Sequence, residues 1–130
     1  DRWPLWATIG HLCCQRVSGL SGMVGEPGAD TTPFPNALYN CPGDEYLEPA
    51  MTAHELVAAI DSTFRIVEHC LDTWTMESLD EVMQRDFGDE IVEIKRGFYL
   101  QRSLAHDVYH IAELNEALSR AGLPLIDLWD

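Results

Sequence analysis

Apolar residues return at helical spacing in three stretches of the 130-residue chain. The first begins at Pro4, a residue favoured in the opening turn of a helix, and carries Leu5, Ile9, Leu12, Cys13 and Val17. Gly19, Gly22 and Gly25 then dissolve the pattern, which predicts a helix over about 4–21. The second stretch opens with Thr52-Ala-His-Glu55, the spacing of a capping box, in which the Thr hydroxyl and the Glu carboxylate satisfy exposed N–H groups reciprocally. Leu56, Ile60, Phe64, Val67 and Leu71 follow as its apolar stripe and predict a helix over about 52–73. The third helix is predicted over about 98–121, with Leu100, Leu104, Val108, Ile111, Leu114, Asn115 and Leu118 forming a mainly apolar face. Gly122 stands in the usual place just past a helix end, with Pro124 beyond it.

The segments between are weaker. Residues 22–51 are rich in Gly, Pro, Asn and Asp and read as a long loop, either a wall of a site or an inert excursion. Thr75–Val82 has room for one or two helical turns, and 82–97 reads as irregular or as short strands. No internal repeat is present. The length is that of one domain, 1–130. Three amphipathic helices with one long crossover loop describe an all-α bundle that is short of one member.

Composition narrows the partners. With 46% hydrophobic residues and no low-complexity tract the chain should fold as a globule. Its 22 Asp and Glu against 8 Lys and Arg give a formal charge of −14, which repels a duplex or an anionic bilayer, so neither nucleic acid nor membrane is expected. The acidity otherwise serves solubility. No apolar run approaches the roughly 20 residues of a membrane helix, and no signal-peptide pattern opens the chain. Cys13, Cys14, Cys41 and Cys70 do not resemble a disulfide framework, and reduced thiols in a cytoplasmic protein are expected. The chain opens on Asp1-Arg2-Trp3-Pro4 without Met, already at the threshold of a helix, and an N-terminal segment is expected to be missing.

The candidate chemistry lies in the histidines. His106 and His110 are four apart in the third helix, on one face, with Cβ atoms roughly 5–6 Å apart, so both imidazoles can reach a single ion. At 100° per residue His110 lies about 40° from Leu114 and His106 a further 40° out, at the border of the core. Such a pair also arises by chance on a surface helix. His11, mid-helix among apolar residues, is the best third ligand, with His54 and His69 as alternatives.

The order Trp3…His11, then Leu104-Ala-His106-Asp-Val-Tyr-His110-Ile-Ala-Glu113 about a hundred residues on, and the exit Ala121-Gly-Leu-Pro-Leu-Ile-Asp-Leu-Trp129, resembles the DinB-like four-helix-bundle superfamily. The resemblance implies an up-down bundle in which His11, His106 and His110 hold a divalent metal, commonly nickel or zinc, with open positions for water or a small-molecule substrate. It implies an enzyme of the kind that transfers or isomerises on a low-molecular-weight thiol such as bacillithiol, mycothiol or glutathione. A metal-dependent hydrolase is one alternative, and a non-catalytic helical dimer module with a structural metal or none is another. The family's first helix, which would precede Trp3, is absent, and the apolar face this leaves predicts a homodimer or an unseen helix. Cys14 is placed to approach the ion or simply to pack, and Glu113 to orient an imidazole or to be a solvated carboxylate. A substrate cavity would draw on Trp6, Tyr109, Phe34 or Tyr39.

Overall fold

The computed structural model describes residues 3–38, 41, 50–127 and 129; Tyr39 lies outside them. The chain runs through helix α1 (Leu5–Val17), a π-helical continuation (Ser18–Val24), a short 3₁₀ turn (Ala29–Thr31), α2 (Ala53–Thr73), a single turn α3 (Met76–Leu79), strands β1 (Val82–Asp86) and β2 (Ile91–Lys95), and α4 (Arg96–Arg120). The fold is therefore mostly helical, with one small antiparallel sheet in register from Val82 opposite Lys95 to Asp86 opposite Ile91. Among the described residues no helix is long and apolar enough to cross a membrane.

The helix starts follow the sequence closely. Pro4 precedes α1, and its carbonyl accepts from the Ala7 N–H at 2.9 Å. At α2 the capping box is complete: the Thr52 N–H donates to Glu55 Oε2 at 2.8 Å, and the Glu55 N–H donates to Thr52 Oγ1 at 3.3 Å. The end of the first helix differs from expectation, since Gly19 and Gly22 lie inside a helical run that continues to Val24. Gly22 is a close-approach position, where a Cβ would stand 2.9 Å from the Leu38 Cβ. The helix stops at Gly25, whose φ of 89° suits glycine and few other residues.

Helix α1 lies between α2 and α4 and packs on both. Its Leu12, Cys13, Cys14, Val17 and the following Leu20 meet Ala59, Ile66, Val67 and Cys70 of α2, and the loop adds Phe34 and Ala37 to this core. The buried face of α2 is thus Leu56, Ala59, Thr63, Ile66, Val67 and Cys70 rather than the expected stripe; Ile60, Phe64 and Leu71 are exposed. At 100° per residue the buried face is turned by about 70° from that stripe. The small side chains of Ala59 and Thr63 admit a close approach to α1, and the bulkier residues are left on the shoulder. A similar rotation holds for α4, which buries Ser103, Asp107, His110 and Leu114 while Leu104 and Val108 stay exposed.

The loop after the π segment is tied down by polar contacts. Glu26 accepts from the Trp74 indole N–H at 3.0 Å and lies 3.6 Å from Arg96, whose guanidinium sits over the Trp74 ring. The expectation of four reduced cysteines is corrected: Cys14 and Cys41 form a disulfide, and Cys13 and Cys70 are free and buried. The reason is tertiary, because the loop crosses α1 and brings two cysteines 27 residues apart within bonding distance. The cysteine part of the argument for a cytoplasmic compartment falls with it.

Candidate metal centre

The antiparallel approach of α1 and α4 sets His11 opposite one turn of α4, where His106 and His110 stand on the facing side. Their Nε2 atoms converge, His11 to His106 at 3.2 Å and His110 to His106 at 3.1 Å. His11 and His110 are buried and His106 is half-buried. Aromatic edges hold two of the rings: Trp3 lies against His11 with centroids 5.2 Å apart, and Tyr109 against His110 at 5.1 Å. The other candidates stand elsewhere, His54 exposed at the start of α2 and His69 on the far side of the core, 3.8 Å from Glu26 Oε2.

Glu113, one turn beyond His110, places Oε2 2.7 Å from His110 Nδ1. A carboxylate there accepts the Nδ1–H, so a neutral His110 presents a lone pair at Nε2. That constraint decides what the cluster accommodates. Three neutral imidazoles then offer at best one hydrogen divided between the two contacts at His106, whereas a cation at the centre attracts all three lone pairs together. The three side chains could together hold one positive charge. Zinc–nitrogen bonds of about 2.0–2.1 Å in tetrahedral geometry put nitrogens roughly 3.4 Å apart, within a few tenths of an ångström of the two distances to His106. The donor set and its dimensions fit a divalent ion.

Among the described residues no fourth protein ligand groups with the triad. Cys14, one candidate, has its sulfur in the bridge to Cys41, and Glu113 is engaged on the outer nitrogen of His110. Two cavities flank the triad along the α1/α4 seam. One, of 290 Å³, lies toward the π segment and is lined by His106 with Arg16, Tyr99, Arg102 and Asp107 among others. The second, of 660 Å³, lies toward the start of α1 and is lined by His110, Glu113, Trp3 and Tyr109. Tyr109 thus takes the wall position expected of it. Phe34 does not, being buried in the core, and Trp6 is half-buried.

Sequence reasoning missed the polar pair beside the triad. Arg16 and Asp107 are both buried, with Arg16 Nε and Nη2 donating to Asp107 Oδ2 at 2.9 and 2.8 Å. Burial pushes the Asp107 carboxyl above the usual carboxylate range, and the Arg16 bond and charge pull it part of the way back. Burial likewise pushes the Cys13 thiol up. The available signal was an arginine placed inside an apolar helix, a residue type rarely buried unless paired. Comparison with protein-family models, with curated proteins and with solved structures found no match.

Proposed function

We propose that this chain is a divalent-metal protein of DinB-like architecture, with His11, His106 and His110 as its ligands and open coordination positions for a small molecule. The observation that carries the reading is the convergence of three Nε2 atoms from two helices, with Glu113 fixing the tautomer of one ring. The resemblance of Trp3, His11, His106 and His110 to the family pattern adds to it and favours nickel or zinc. A divalent ion bound there would supply Lewis acidity, lowering the pKa of a water or thiol that meets it.

The chain's own residues do the rest. Glu113 holds the His110 ring with its Nε2 facing inward, Trp3 and the helix seam keep His11 from turning away, and the two cavities provide access from either side. Engagement of both Cys14 and Glu113 speaks for an open rather than a closed ligand shell, and so for catalysis over a purely structural ion. A low-molecular-weight thiol as co-substrate gives a transferase, and water gives a hydrolase.

Elemental analysis of protein purified without a nickel column, on wild type and His106→Ala, tests the site. One ion per chain in the wild type and its loss in the variant are expected; a metal-free wild type or an undiminished variant removes the site. Thiol consumption against a panel of electrophiles, with bacillithiol, mycothiol and glutathione in turn, then separates transferase from hydrolase.

A further inference from the structure

We infer that the 660 Å³ cavity beside His110 receives the apolar body of the substrate, an uncharged group about the size of a phenyl ring, while a metal-binding head on the same molecule reaches the three histidines. This names the substrate class for the metal site proposed above and rests on that reading for the head of the ligand alone. The volume falls within the roughly 300–1,000 Å³ of small-molecule sites.

Two independent observations set the chemistry of that body. The first is the wall itself, to which Trp3, Leu5, Tyr109, Leu114 and Ala117 contribute. Trp3 is 39% exposed, Leu5 37% and Tyr109 63%, so large apolar side chains lie open to solvent around one concavity, where an apolar ligand would cover them. The aromatic pair also joins this wall to the candidate ion. Trp3 meets His11 edge to face, and Tyr109 meets His110 in the same way, so two sides of the cavity are continuous with two of the three ligands. The second observation is that the charges lining the cavity are already matched. Arg120 donates to Glu116, and Glu113 is engaged by His110. An ionic group entering here would have to compete with a formed pair or give up its water without replacement, whereas an uncharged group meets neither cost. The 290 Å³ cavity on the other side of the triad contrasts with this, since Arg16, Arg102 and Asp107 line it. The apolar body therefore enters from the Trp3 side.

Hydroxamates carry a metal-binding head and leave the Cys14–Cys41 bridge intact. Binding of acetohydroxamate and benzohydroxamate is measured by calorimetry on the zinc-loaded full chain, with the zinc content determined before and after. Benzohydroxamate is expected to bind at least tenfold more tightly, because only its ring reaches the apolar wall. Ala117→Phe puts a ring of the protein's own into the cavity and should bring the two affinities within twofold of each other, with zinc content unchanged. Tyr109→Ala should lower the ratio at least threefold and Tyr109→Phe should restore it; should Ala117→Phe fail to fold, the Tyr109 pair decides. Benzyl alcohol, which lacks the head, is followed by saturation-transfer NMR on metal-free protein. Contact in the wild type and its loss in Ala117→Phe sustain the apolar subsite even if the chain holds no zinc, and no contact in the wild type overturns it. A ratio near one in zinc-loaded wild type, or a tenfold ratio undiminished in Ala117→Phe and Tyr109→Ala, overturns the subsite while leaving the metal reading in place.

Discussion

Replacing Glu113 by Gln isolates what the carboxylate contributes to the metal centre. Gln keeps an acceptor within reach of His110 Nδ1, so the ring can stay in place and only the negative charge is removed. Carboxylates behind metal-bound histidines typically govern metal affinity by about 10–100-fold. The 2.7 Å contact is short, as charge-assisted bonds are, but the Glu113 side chain is 48% exposed, and solvent screening argues for the lower end. A loss of about tenfold in zinc affinity is therefore expected, near 1.4 kcal/mol. The assay is competition against a chromophoric chelator, with Glu116→Gln as control. Glu116 lines the same 660 Å³ cavity, pairs with Arg120, and should leave the affinity unchanged. An affinity within twofold of wild type would make the Glu113 contact incidental, and complete loss of metal would make Glu113 a ligand; either result refutes the orienting role.

Arg16→Met leaves Asp107 buried without its partner and should cost about 3–5 kcal/mol in urea denaturation, whereas Arg16→Met with Asp107→Leu should recover most of that loss. Because the Asp107 carboxyl is raised, the folded state holds its proton to higher pH than the unfolded state. Its contribution to stability is therefore present at low pH and is lost as pH rises through the raised value, and Arg16→Met should steepen that trend. The bridge predicts two reactive thiols in denatured, unreduced protein and four after reduction; with its cysteines 27 positions apart, loss of the bridge should lower stability by about 3.5 kcal/mol. Cys70, pushed up to about 12 by burial and fully enclosed, should resist alkylation at pH 9 in the native protein and react once it is unfolded.

The helix starts and the triad were legible because their signals are local. Thr52 and Glu55 cap within one turn, and His106 and His110 share a face by spacing alone. His11 was found from its apolar neighbours, since a mid-helix histidine in such a context must face inward. The phases of α2 and α4 were not legible, because hydrophobic size does not say which residue admits close approach; Ala59 and Thr63 won the contact with α1 over Ile60 and Phe64. Residues joined only by tertiary contact left no pattern along the chain, as with Arg16 and Asp107 or Cys14 and Cys41. The hairpin of β1 and β2 was visible only as a turn beginning at Phe87 and Gly88 with a short strand after it.

The π-helical run Ser18–Val24 fixes a wall of the cavity by its length rather than by its side chains. Hydrogen bonds to the fifth residue back give each turn more residues than an α-helix, so positions four apart stack nearly in line. Gln15, Gly19 and Met23 follow that spacing, and all three line the 290 Å³ cavity. In continuous α-helix Met23 would stand about 80° around the axis from Gln15. Deleting one residue between Gly19 and Met23 and relaxing the run to ordinary pitch would set Met23 seven positions after Gln15, about 20° around the axis, so it would stay on the wall while His11 upstream kept its place. The line of this wall therefore depends on residue count and pitch together, whereas the histidine cluster depends on residue type.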